Sequence, residues 1–379
     1  MKKAWFIASF VLSLTAPTLL YPLVKDHLDQ TNYENRTLAS FPELSLANLE
    51  QIPVQFEAFY NDHVPFKNLF VRAKTKIDLE LLGESSVSTV TVGKDNWLFY
   101  TVEEKGEDAL ADYQKTNLYT DDEIAAIGGQ IRDAKEWLGA RGIRFFVFEA
   151  PNKETIYGEY MPDKIRTYGD QSRLDQAIPQ LREMGLPIRD LKPALLEAKE
   201  SWQIYYKYDT HWNQLGSFVG SQEIAQALTG SSIPLSDLTV VESGTCSGDM
   251  ARMLNLAGEY SDDVEYVIAD YLPEIQFERI EENDQGTFAV FESNAPNDRT
   301  LLLVGDSFSQ GLKYYLPKLY QTSVFATFDT YESWMLDRYQ PDDFVYLTVE
   351  RNQDKFERIG EIVKGGTAAA KAGETEEEG

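Results

Sequence analysis

From Thr120 onward the chain repeats one pattern, and that pattern constrains the fold more than any other feature. A stretch with apolar residues at helical spacing gives way to a turn and then to a short run of consecutive apolar residues. Thr120-Asp-Asp-Glu123 has the composition of a capping box, and Ile124, Ile127, Ile131, Ala134 and Leu138 follow at intervals of three or four. Gly142 closes that helix, and Ile143–Glu149 (IRFFVFE) reads as a buried strand. The alternation continues with a helix at Gln171–Met184 and strands at Pro187–Arg189 and Gln203–Lys207. A helix from Asn213 comes next, then strands at Thr300–Val304, Ser323–Thr327 and Phe344–Val349. Each crossover helix must cover one face of the sheet it connects. The expected fold class is therefore a three-layer α/β/α with a mainly parallel sheet.

Other regions do not share the pattern. Ala4–Val24 is an uncharged run of 21 residues behind Lys2 and Lys3. About 20 apolar residues suffice to cross a bilayer, so an uncleaved signal anchor over 1–24 is expected, with a cleaved signal peptide as the rival. Either reading places the remainder outside the cytoplasm. Pro17 and Pro22 interrupt the run and speak against a regular helix. Residues 25–113 read as an N-terminal extension, with a helix near Asn68–Leu82 and a β-like pair, Val87–Val92 and Trp97–Tyr100, joined through Gly93–Asn96. The main α/β domain is expected over 114–364, interrupted at about 238–297 by an irregular insertion with antiparallel strands of its own. Residues 365–379 form an acidic, small-residue-rich tail expected to be disordered.

Composition removes several kinds of chemistry. A net charge of −27 argues against a nucleic-acid partner, which needs a basic face. A single cysteine, Cys246, excludes intrachain disulfides and multi-cysteine metal sites. His27, His63 and His211 are too widely spaced in sequence to suggest a histidine-built metal centre. Neither a metal nor a soluble cofactor is expected. What remains is hydroxyl, carboxylate, imidazole and cationic chemistry.

In a parallel sheet, ligands gather beyond the carboxyl ends of the strands. The residues following the expected strands are Pro151-Asn152-Lys153, Asp209-Thr210-His211-Trp212-Asn213, Gly305-Asp306-Ser307-Phe308-Ser309 and Glu350-Arg351-Asn352. A serine acts as a nucleophile only when a base takes its proton and a third group fixes the base. Ser307, His211 and Asp209 supply those three parts. Each has a plainer reading. Asp306, Ser307 or Ser309 could cap a helix, and Asp209 could end a strand. Asn213 reads as the N-cap of Gln214–Leu228 and Trp212 as packing. Gly305, Asn152, Lys153 and Arg351 complete the candidates, as possible oxyanion or substrate-binding positions.

These residues together resemble a known family. Glu34-Asn35-Arg36 with Phe41-Pro42, Asp62 with Pro65-Phe66, and Gly93 with Trp97-Leu98-Phe99 open a series of short motifs. Pro151-x-Lys153 with Tyr157, Asp209-Thr-His211-Trp212, Gly248-Asp249-Met250 and Gly305-Asp306-Ser307-Phe308 complete it. The series is similar to the SGNH-hydrolase-like domain of alginate and cell-surface polysaccharide O-acetyltransferases and their DHHW relatives. The resemblance implies an SGNH-like fold and a triad of Ser307 (nucleophile), His211 (base) and Asp209 (orienter). It also implies a substrate-facing arginine near Arg351, a polysaccharide acceptor and a multispanning membrane acyltransferase as acetyl donor. The side-chain oxyanion donor is not identifiable from these motifs, and Lys153 and Tyr157 serve equally well as structural supports. An acetylesterase with the same triad, or an idle polysaccharide-binding or assembly protein, are the competing functions.

Overall fold

The computed structural model describes residues 2–28, 38–42, 45, 48, 51–79, 85 and 87–365. The Glu34–Arg36 motif, the end of the expected Asn68–Leu82 helix and the acidic tail from residue 366 lie outside them. Two compact units are present: Met1–Val87 with Ala251–Glu259, and Ser88–Met250 with Tyr260–Gly379.

Among its described residues the first unit includes the α-helices Lys2–Val24, Ile52–Asp62 and Lys67–Ile77. The helix at the N-terminus is long and apolar enough to cross a membrane, by length and composition. It runs through Pro17 and Pro22 without a break. Each proline removes one amide donor, a loss that a helix of 23 residues absorbs locally.

The second unit is built on a seven-stranded sheet: β1 (Arg144–Ala150), β2 (Ile188–Asp190), β3 (Phe277–Glu282), β4 (Phe288–Ser293), β5 (Thr300–Gly305), β6 (Thr322–Thr327) and β7 (Asp343–Val349). Their order is β2-β1-β7-β5-β6-β4-β3. The first five in that order run parallel, whereas β4 pairs antiparallel with both β6 and β3. The sheet is therefore mixed. Within residues 238–297, expected as an irregular insertion, Val240–Cys246 and Asp263–Ile268 form an antiparallel pair of their own, and β3 and β4 extend the main sheet. Phe288–Phe291 is buried at every position, which a detached hairpin could not achieve.

Alternate strand residues serve opposite faces. Phe145, Val147, Leu302, Val304, Phe344 and Tyr346 pack with the Asp121–Gly139 and Arg173–Glu183 helices. Phe148, Leu301, Leu303, Val345 and Leu347 pack on the other side with Gln214–Thr229. Each helix begins as its sequence indicates. Thr120 and Glu123 form a reciprocal capping box, and Asn213 Oδ1 accepts from the amides of Leu215 and Gly216. Ser88–Tyr113, expected in the extension, belongs to this unit. Val90–Val92 and Leu98–Tyr100 pair antiparallel, and Trp97 and Phe99 join the second core cluster.

Candidate active site

Gly305 ends β5 where no side chain fits: a Cβ there would lie 2.6 Å from the Leu347 carbonyl oxygen on β7. The chain then turns sharply, and the turn is held by Asp306. One Asp306 oxygen accepts from the Phe308 amide at 3.0 Å, and the other from the Val349 amide at 2.6 Å and Asn352 Nδ2 at 2.9 Å. With its neighbour so fixed, Ser307 projects from the strand end into an open groove of about 1070 Å³ that Asp209, His211, Lys313, Tyr314 and Asn352 also line.

The partner segment arrives differently. Gln203–Lys207, expected as a strand, is a loop whose one sheet-like contact is the bridge between Tyr205 and Trp212. Side chains replace the missing ladder. Lys153, buried, donates from Nζ to the carbonyl oxygens of Tyr206 (3.1 Å), Lys207 (3.3 Å) and Asp209 (2.7 Å). Asp263 accepts from the amides of Lys207 and Tyr208, and the Tyr157 hydroxyl accepts from the Ile204 amide at 2.9 Å. Burial lowers the Lys153 ammonium to about 8 against the raising effect of surrounding carboxylates.

The loop delivers His211 to Ser307. His211 Nε2 lies 2.7 Å from Ser307 Oγ, and Nδ1 lies 2.7 Å from Asp209 Oδ1. Bonds from His211 hold the Asp209 carboxyl down at about 2, outweighing the opposing effect of its burial. A serine and an Asp-x-His pair 96 residues before it thus stand in the order hydroxyl, imidazole and carboxylate that a nucleophile, its base and an orienter would take.

The other candidates, Gly305, Asn152, Lys153 and Arg351, do not line the groove. Asn152 and Arg351 are buried beneath it: Asn152 Oδ1 accepts from the Arg351 amide at 3.3 Å, and Arg351 Nε donates to Glu107 at 3.0 Å. Arg351 also lies over the Tyr100 and Phe308 rings. These side chains, like that of Lys153, are engaged with protein and support the site. Trp212 is packed, its indole N–H donating to the Phe308 carbonyl at 3.2 Å.

Several contributors carry no signal in the sequence. Arg173, with no exposure, binds both oxygens of buried Asp112 (2.6 and 3.2 Å), the Tyr119 hydroxyl and the Glu350 carbonyl. Asn352, which lines the groove, follows β7 among other polar residues and nothing marks it out. Asp249 was visible only as part of a motif. Its carboxylate lies beside Thr210 and His211, and Asp209, His211 and Asp249 offer ligand atoms within 4.8 Å of one another, as a cation would require. The His211 and Asp209 atoms concerned are already bonded to each other, so an ion there would displace the triad's own contact.

A hydroxyl, an imidazole and a carboxylate relayed beside an α/β sheet are the arrangement that serine-based acyl transfer uses. Residues 90–328 match the family described as the SGNH hydrolase-like domain of acetyltransferase AlgX, and the chain belongs to that family. A relative from Pseudomonas syringae pv. tomato, a probable alginate O-acetylase AlgJ, is 31% identical over 172 residues, covering 45% of this chain and 41% of that protein. The Pseudomonas aeruginosa protein of the same description is 26% identical over 206 residues, covering 53% and 50%. The chain thus spans about half the length of these curated relatives, or less. Among solved structures, a DHHW family protein from Eubacterium siraeum aligns with a TM-score of 0.50 at 14% identity, over 73% of this chain and 96% of that one. Bacillus cereus PatB1 with a sulfonyl adduct gives 0.51 at 15%, over 71% and 97%. At such identities these two likenesses concern the fold.

Proposed function

We propose that this protein is an extracytoplasmic O-acetyltransferase that moves acetyl groups onto hydroxyls of a cell-surface or exported polysaccharide. The observation that carries the reading is the relay of two 2.7 Å contacts through His211. Family membership supports the acetyl group and the sugar acceptor, since the relatives are described as probable alginate O-acetylases.

In this reading Ser307 Oγ attacks the carbonyl carbon of an acetyl donor while His211 Nε2 takes its proton. The tetrahedral oxyanion is met by the Ser307 amide and by Asn352, whose amide plane is set by its bond to Asp306. Collapse expels the donor's leaving group with the proton from His211 and leaves an acetyl ester on Ser307. A sugar hydroxyl, deprotonated by His211, then attacks that ester, and the released Ser307 oxygen recovers the proton. The donor is proposed to be a multispanning membrane acyltransferase, reached because the N-terminal helix anchors the chain.

The test uses the full-length protein, an activated acetyl ester and candidate oligosaccharides, with free acetate and acetylated sugar followed by mass spectrometry. Acetylated sugar supports transfer. Acetate alone means an esterase, and neither product means an idle scaffold.

A further inference from the structure

The Lys67–Ile77 helix is turned inside out for a helix surrounded by water. Its sequence, KNLFVRAKTKI, places Leu69, Ala73 and Ile77 four residues apart, with Phe70 beside them on the same face. Such a stripe normally seats a helix on its core. Here the helix is held by its polar side instead. Thr75 is buried, the Asn68 carbonyl accepts from Asn255 Nδ2 at 2.9 Å, and Arg72 Nε donates to Glu259 at 3.1 Å. Leu69, Phe70 and Ile77 meanwhile stand 52%, 55% and 54% exposed.

Two further observations say what covers the stripe. The first is a row of rings that joins it to the N-terminal helix. Phe66, at the head of Lys67–Ile77, meets the Tyr21 ring edge-on with centroids 5.6 Å apart, and meets Phe70 at 6.3 Å. Tyr21 stands three residues before Val24, the last residue of the apolar helix. At 1.5 Å of rise per residue that is about 4.5 Å from the helix end, the depth at which tyrosines mark the boundary of a bilayer. The ring packed against it starts the second helix near that same depth. The second observation is charge. Lys67, Arg72, Lys74 and Lys76 give the helix four cations and no acid, in a chain of net charge −27. By helical spacing Lys74 and Lys76 flank the stripe. Their side chains are 67% and 43% exposed, so their ion pairs with Asp78 and Glu259 are open on the lysine side to a further anion.

We propose that Lys67–Ile77 is an interfacial helix that lies in the headgroup layer of an anionic bilayer. Leu69, Phe70 and Ile77 enter the boundary of the acyl chains, and the lysines beside them meet lipid phosphates. The proposal rests on the reading of Lys2–Val24 as a membrane anchor and gives the chain a second contact with the same bilayer.

The experiment uses the full-length protein with Cys246→Ser and a nitroxide attached at Phe70→Cys, Leu12→Cys or Glu136→Cys. Each is placed in vesicles of phosphatidylglycerol and phosphatidylethanolamine that hold no other protein. Collisions with oxygen and with a water-soluble nickel chelate report the depth of each label. The Leu12→Cys label should read near the bilayer centre and the Glu136→Cys label in water. The Phe70→Cys label should read about 5–10 Å into the boundary between headgroups and acyl chains. In phosphatidylcholine alone its ratio of immersed to aqueous populations should fall by about fivefold or more, the worth of one basic side chain near an anionic surface. A Phe70→Cys label in water beside a deep Leu12→Cys label overturns the proposal, and the stripe then awaits a protein partner. Dipolar broadening at Phe70→Cys that vanishes on dilution with unlabelled protein also overturns it, since a second copy would cover the stripe. Equal immersion in both lipids overturns the recognition of anionic headgroups. A Leu12→Cys label in water would instead remove the anchor, and this proposal with it, a failure read at a different site.

Discussion

Two groups of polar residues lie near the strand ends of the main sheet, and exposure to solvent sets them apart. Ser307, His211 and Asp209 face the groove, with the His211 and Asp209 side chains 28% and 18% exposed. Arg173 and Asp112 lie behind the strand ends with no exposure at all. In the groove, a group that loses its partner can be solvated, so the protein tolerates substitution there and only the chemistry suffers. Behind the strands an unpartnered charge has no solvent to turn to, so the same kind of change acts on folding. Under the proposed function the first set carries the reaction and the second supports the fold around it.

The sharpest way to break this distinction is at its front. Ser307→Ala should lower acetyl turnover by on the order of 10⁴-fold or more, as removal of a triad nucleophile does, with an unchanged circular dichroism spectrum and melting temperature. A large loss of stability in that variant would show that the groove residues also hold the fold. At the back, Arg173→Met strands the Asp112 carboxylate and should cost about 3–5 kcal/mol in urea unfolding. Turnover per folded molecule should change little. If Arg173→Met folds normally but loses activity, the buried network belongs to the catalytic machinery after all.

Asn352 stands between the two groups, since it is tied to buried Asp306 and lines the groove. Asn352→Ala should reduce kcat by about 10²-fold at nearly constant KM, the signature of a lost oxyanion donor. A rise in KM alone would move Asn352 to a substrate-binding role.

The smallest effect concerns Glu350, whose carboxylate accepts from the Asn152 amide at 2.9 Å and the Thr155 hydroxyl at 2.6 Å. Burial raises it to about 7, with Asp112 adding to the effect. A group with a raised folded-state pKa binds its proton more tightly when folded. Its contribution is thus complete below about pH 4.5 and is lost as pH climbs toward 7. Glu350→Gln should therefore gain stability relative to wild type between pH 4.5 and 7.5, by on the order of 1–3 kcal/mol in urea titrations at each pH. A pH-independent difference would mean that Glu350 stays ionised behind the strands.

The sequence by itself determined most of the alternation of helices and strands and both helix caps, and it marked out Ser307, His211 and Asp209 as candidates. It did so because these depend on spacing and on residue type near one point of the chain. Thr120 caps its helix with Glu123 three residues away, and the apolar rows of β1, β5 and β7 need only a period of two or a continuous run. The sequence misassigned Gln203–Lys207, because apolar and aromatic residues there resemble a strand. Its backbone groups are in fact satisfied partly by side chains from distant segments, Lys153, Asp263 and Tyr157, and partly by the backbone of Leu98, His211 and Asn213. It treated residues 238–297 as an insertion, because whether an antiparallel pair docks on a sheet edge depends on the face β6 leaves open. Above all, it could not distinguish Lys153, Asn152 and Arg351, which turn inward to protein partners, from Asn352 and Asp249, which reach the groove and the triad. A polar residue after a strand looks the same in sequence whichever way it points. Only the packing of neighbouring elements, down to the room left by the missing Cβ atom of Gly305, decides which polar group meets water and which meets another charge.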